Sequence, residues 1–190
     1  GEGGLLIIND EKFINRAEII REKGTNRSLF FRGAVDKYSW VDVGSSYLMN
    51  DVSAAYLWGN LEEADKINEN RLASWNRYYD GLKSLEERGL IQLPTIPNTC
   101  VQNAHMFYVK VNDLETRTSL LEHLKKNDIL AVFHYIPLHS APTGLKFGRF
   151  NDDDIYTTFE SELLIRLPMY FGLTKESVKL ICGVINDFFK

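Results

Sequence analysis

One hundred and ninety residues, 44% hydrophobic and 25% charged, describe an ordinary globular chain larger than one minimal domain. A formal charge of −4 and an isoelectric point near 5.6 argue against nucleic-acid and anionic-membrane partners, which need clustered positive charge. No apolar run nears the ~18 residues of a membrane span, and two cysteines without CxxC spacing point to a reducing, cytoplasmic setting.

The chain opens on Gly1-Glu2-Gly3-Gly4, then Leu5-Leu6-Ile7-Ile8, which reads as a short buried strand closed by Asn9-Asp10. A buried strand needs neighbours on both sides, so the opening is expected to lie inside a larger domain, with this chain a fragment of it. From Asp10 to Lys23, the spacing of Phe13, Ala17 and Ile20 predicts a helix, capped by Asp10 and stopped at Gly24. Residues 24–50 show no period and mix aromatics with Asn26, Arg27, Arg32 and Lys37. Such a stretch is expected to be a functional or interface loop.

Asn50 then caps the longest helical signal, in which Leu57, Leu61, Ala64, Leu72, Trp75, Tyr79 and Leu82 recur by threes and fours until Gly89. A single helix of this length bridges two lobes, with Gly59 marking a bend. Residues 93–98 read as an extended linker because Pro94 and Pro97 disfavour helix before them. Strands are expected at His105–Val111 and Ile129–Phe133, and helices at Glu115–Lys126, Ile155–Leu164 and Thr174–Phe189. The order describes a small α+β or split α/β lobe with its helices on one face.

Four histidines raise the question of a metal, but no HxH or HExxH spacing occurs and no carboxylates cluster beside them, so no metal site is expected. His123 lies on a charged helix face and is expected to be solvated. Asn151-Asp152-Asp153-Asp154 lacks the glycine and distal glutamate of a calcium loop and reads as a solvated helix start. His134-Tyr135-Ile136-Pro137-Leu138-His139 directly follows a buried strand, where ligand crevices form in α/β layers. Its rings offer flat apolar bodies with donors for sugar hydroxyls or phosphate, although a turn of this kind is more often structural.

Several segments together resemble the DegT/DnrJ/EryC1/StrS sugar aminotransferases. They are Gly1-Glu2-Gly3-Gly4, Arg21–Ser28, Phe30-Phe31-Arg32-Gly33, Val35-Asp36-Lys37-Tyr38, Gly44–Met49, Ala54–Leu57, Asn103–Tyr108 and His134–His139. The resemblance covers essentially the whole chain. It implies the C-terminal part of a fold-type I pyridoxal-phosphate enzyme of α/β class. Residues 1–58 would be the tail of the large PLP-binding domain, and residues 59–190 a small α+β domain, joined by the long helix starting near residue 50.

In that family the Schiff-base lysine lies a few residues before the glycine-rich segment. The resemblance therefore places the lysine and most of the large domain upstream of Gly1, and implies that the chain alone is catalytically silent. The implied reaction moves the amino group of glutamate to C4 of dTDP-4-keto-6-deoxyglucose, in a cytoplasmic homodimer. A related nucleotide-sugar specificity of different position or stereochemistry, or a silent dimerisation module, are the alternatives.

The resemblance also assigns residues. Many members read GxNxRM where this chain reads Gly44-Ser45-Ser46-Tyr47-Leu48-Met49, so Ser46 takes the place of the Asn that reaches the cofactor phosphate. Leu48 takes the place of the Arg and cannot bind an anion. Arg27 and Arg32 become candidates for the sugar-nucleotide diphosphate, with a salt bridge as the plain alternative. Tyr135 and His139, with His134 beside them, are expected to line the sugar-nucleotide pocket.

Overall fold

The computed structural model describes residues 3–190, so Gly1 and Glu2 of the glycine-rich opening lie outside the described residues. The chain divides into two compact units, Gly1–Glu63 and Ala64–Lys190.

In the first unit, Asp10 accepts a hydrogen bond from Lys12 N at 3.1 Å and caps the 3-10 turn Glu11–Phe13, which continues into α1 (Ile14–Arg21). Gly24 ends the helical segment with φ +77, where a Cβ would sit 1.7 Å from the Asp42 carbonyl oxygen. Only glycine admits that approach. Its own carbonyl accepts from Val41 N and Asp42 N at 2.8 and 3.0 Å, folding the following loop back onto α1. Within that loop, residues 24–50 carry one short helix, α2 (Arg27–Phe31), and two isolated bridges, Glu22 with Ser46 and Thr25 with Trp40. Asn50 caps α3 (Asp51–Glu62), its Oδ1 accepting from Ser53 N at 2.9 Å.

Two expectations fail here. Leu5–Ile8 forms no strand: no described segment pairs with it, and Leu5 is 89% exposed. The single helix expected from residue 50 is two helices, α3 and α4 (Ala64–Glu87), separated at Glu63 rather than bent at Gly59. Glu62 and Glu63 oppose the negative C-terminal end of a helix, whereas Asp65 suits the positive start of the next. The acidic run therefore favours a new start over continuation.

The second unit holds the core. Trp75, Tyr78, Leu82 and Leu85 form the buried stripe of α4. Against it lies a four-stranded antiparallel sheet in the order β1-β2-β4-β3: β1 (Ile91–Gln92), β2 (Phe107–Val111), β3 (Val132–Phe133) and β4 (Leu164–Leu167). Phe107 faces Leu167 and Val109 faces Ile165, so the pleat puts all four on the buried side. Tyr78 stacks on Phe107 at 5.0 Å and Trp75 meets the same ring edge-on at 5.2 Å.

Two further helices complete the layer, α5 (Leu114–Lys126) and α8 (Lys175–Phe188). Asp113 caps the former through Thr116 N at 2.7 Å, and Thr174 caps the latter through Ser177 N at 3.1 Å. His123, expected to be solvated, is half-buried with its ring 5.5 Å from that of Phe188. On the other face of β2, Lys110 pairs at 2.7 Å with Glu160 of α7 (Thr157–Leu163). Residues 134–156 carry a 3-10 turn (Leu138–Ser140) and α6 (Pro142–Phe147). No helix among the described residues is long and apolar enough to cross a membrane.

Candidate functional site

In the first unit Glu22, a buried carboxylate, meets Arg27 through its side chain and Ser46 through a backbone bridge. Arg27 Nη1 pairs with its Oε1 at 3.0 Å, and the Arg27 guanidinium also lies 5.0 Å from the Phe31 ring. Arg32 pairs with Glu18. Both guanidiniums offered to a diphosphate thus already hold a carboxylate, and an incoming phosphate must share or displace it.

Ser46 is fixed by its neighbours: Lys23 N donates to Ser45 O at 3.0 Å, and Tyr47 N donates to Arg21 O at 3.1 Å. Its side chain is exposed, and its hydroxyl makes no hydrogen bond among the described residues. A free donor on a pinned backbone fits a phosphate oxygen. The adjacent Leu48 presents only apolar surface.

In the second unit β3 leads into His134 and Tyr135, but the buried strand expected over Ile129–Phe133 is only the two exposed residues Val132 and Phe133, at the sheet edge beside β4. Tyr135 is 73% exposed, with the Arg166 guanidinium 5.7 Å from its ring centre and the His134 ring edge-on at 5.2 Å. His134 Nδ1, Arg166 Nε and Arg117 Nε are buried without partners among the described residues. All three border β3, since Arg166 stands opposite Val132 and the Arg117 guanidinium lies 5.6 Å from the Phe133 ring.

His139 sits in the 3-10 turn, anchored from behind. The Pro137 carbonyl accepts from Ser140 N and Ala141 N at 3.2 Å and from Ser140 Oγ at 3.1 Å. Gly144 of α6 crosses so close that a Cβ there would lie 1.6 Å from Leu138 O. The imidazole Nε2 is 2.8 Å from Asp154 Oδ2, and the ring packs on Phe150 with centroids 4.2 Å apart.

The structure therefore brings His134 next to Tyr135 and ties His139 to Asp154. Sequence reasoning misses Arg166 because the helical period over 155–164 hides the strand that starts at Leu164. It misses Asp154 because one carboxylate in an acidic run carries no individual signal, and the solvated helix start expected there is not what forms: α7 begins only at Thr157, and Asp154 turns to His139 and Thr158 instead.

The DegT/DnrJ/EryC1/StrS aminotransferase family model matches residues 1–186. The chain belongs to this family. The family's cofactor is pyridoxal 5′-phosphate. Among its relatives, the uncharacterised protein MJ1066 of Methanocaldococcus jannaschii is 29% identical over 185 residues, covering 94% of this chain and 47% of that one. GDP-perosamine synthase of Escherichia coli O157:H7 is 25% identical over 190 residues, covering 100% and 48%. Helicobacter pylori PseC, an aminotransferase involved in the biosynthesis of pseudoaminic acid, superposes with a TM-score of 0.77 at 20% identity, over 95% of this chain and 47% of that one. The fold is that of the corresponding part of a fold-type I sugar aminotransferase. The chain spans about half the length of the curated relatives it matches.

Proposed function

We propose that the protein moves the amino group of glutamate to C4 of dTDP-4-keto-6-deoxyglucose, giving dTDP-4-amino-4,6-dideoxygalactose. In this reading it is a dTDP-4-amino-4,6-dideoxygalactose transaminase, a cytoplasmic homodimer serving polysaccharide synthesis such as that of enterobacterial common antigen. The observation that carries the reading is the unbroken order of family segments from the glycine-rich opening through Gly44–Met49 to His134–His139.

When bound, pyridoxal phosphate supplies the electron sink for amino transfer. The chain's own residues bind and orient. Ser46 donates to a phosphate oxygen of the cofactor, while Tyr135 and His139 present polar groups to the sugar, with His134 beside them. Arg27 and Arg32 reach the diphosphate by sharing or releasing Glu22 and Glu18. Residues 1–58 serve as the tail of the cofactor-binding domain and residues 59–190 as the small domain.

A second reading keeps the chemistry and changes the nucleotide or the sugar position, and the relative named GDP-perosamine synthase favours keeping it open. Turnover by the full-length holoenzyme across dTDP- and GDP-linked 4-keto and 3-keto sugars separates the two. The first reading expects the dTDP-4-keto-6-deoxy sugar to have the highest kcat/KM. A GDP-linked or 3-keto sugar turning over faster would replace it with the second.

A further inference from the structure

His139 is held by Asp154, a residue to which neither the family resemblance nor the proposed reaction gives a task. Asp154 lies three residues before α7 and is itself fixed by that helix's first turn. Its Oδ1 accepts from Thr158 N at 3.2 Å, and its Oδ2 accepts from Thr158 Oγ1 as well as facing His139 Nε2 at 2.8 Å. These contacts, the Thr158 hydroxyl first, hold the Asp154 carboxyl below the usual carboxylate range.

At neutral pH Asp154 is therefore ionised and can only accept. The hydrogen between the two groups belongs to Nε2, and a neutral imidazole then keeps its lone pair on Nδ1. Nδ1 makes no hydrogen bond among the described residues and is not one of their fully buried unpartnered nitrogens, so it is left open to a ligand. The ring cannot readily turn away. Phe150 packs on it, and the close Gly144 crossing fixes the backbone beneath. A bond that only clipped the loop would need none of this control over which nitrogen is left free.

We propose that Asp154 is a positioning residue that locks His139 in its Nε2–H form, so that Nδ1 meets the substrate as a hydrogen-bond acceptor for a hydroxyl of the sugar ring. The proposal rests on the placement of His139 in the sugar-nucleotide pocket. An acceptor fixed in this way selects a sugar carrying a hydroxyl at the matching position over the deoxy analogue, whose binding would leave Nδ1 desolvated and unpaired.

The test uses the full-length holoenzyme labelled with [15N]histidine, the His139 signals being assigned by their loss in His139→Gln. Above the titration of the ring, wild type should show a protonated Nε2 and an unprotonated Nδ1. Asp154→Asn, whose amide can donate to Nε2, should move the ring toward the Nδ1–H form, and Asp154→Glu should restore the Nε2–H signature in part. KM for the nucleotide sugar should rise about tenfold in Asp154→Asn, more than KM for glutamate does, because the acceptor is lost from one substrate's site. A wild-type ring in the Nδ1–H form overturns the positioning role whatever the kinetics. The expected spectra with an unmoved KM overturn the proposal through its pocket assignment instead. An Asp154→Asn variant that melts early while keeping both the spectrum and KM reduces the bond to a loop clip.

Discussion

Tyr78 and Cys182 show how single buried groups set measurable properties. Cys182 of α8 packs against Gly81 of α4, where a Cβ would come within 2.8 Å of its sulfur, and burial pushes its thiol up to about 12 from an ordinary 9.0. At pH 8 a thiol reagent should label the exposed Cys100 and spare Cys182 until the protein unfolds. Because the folded value lies above the unfolded one, this contribution to stability is intact below pH 9 and is lost as pH rises from there toward 12. Urea midpoints should therefore fall between pH 8 and pH 10.5, and less steeply in Cys182→Ala; equal slopes would deny the thiol that role. The Tyr78 hydroxyl donates to Pro168 O at 2.9 Å, and burial raises its titration well above the ordinary tyrosine range. Tyr78→Phe should cost about 1–2 kcal/mol in urea denaturation, the price of an unpaired carbonyl, while leaving packing intact. His139→Ala in the full-length enzyme should raise KM for the nucleotide sugar, or lower kcat, by the equivalent of roughly 1–3 kcal/mol. A variant that melts much earlier with its kinetic constants intact would make the turn structural.

Helices with a sustained apolar period were legible in the sequence: α5 and α8 lie within a residue or two of their expected bounds because their buried faces repeat by threes and fours. Strands were less so. β1 has two residues, too few for an alternation, and β4 follows α7 directly at Leu164, with no glycine or proline in either element to announce the change. Leu5–Ile8 carries a strand's composition, but backbone pairing needs a partner that no composition supplies. The His134–His139 turn could be found from the apolar segment before it, although that segment is an exposed edge strand, whereas its partners Asp154 and Phe150 could not, because the contacts reach across α6 and the irregular chain after it. The 3-10 turn and α6 form one element through Gly144, so Gly144→Ala should displace Leu138 and His139. The expected readout is a changed His139 ring environment by NMR with the core of α4, α5 and α8 still folded. An unchanged His139 spectrum would show that the turn does not depend on the crossing.

The two units differ in how they are stabilised. Ala64–Lys190 surrounds a continuous apolar core, while no hydrophobic residue described in Gly1–Glu63 is buried. Val43, Val52, Tyr56 and Trp58 of the first unit are largely exposed, and an apolar groove of about 860 Å³ lies along Met49, Val52, Tyr56 and Leu61. Surface of that kind associates in water. Sedimentation of the 190-residue chain should show concentration-dependent self-association that Val52→Lys with Tyr56→Lys weakens. A clean monomer at high concentration would contradict it. For the function, the most direct measurement is the fate of nitrogen from [15N]glutamate when the full-length holoenzyme meets dTDP-4-keto-6-deoxyglucose. The account predicts 15N at C4 of the product, with ring proton couplings of the galacto configuration. Label at C3, a gluco product, or no transfer to this sugar would contradict it.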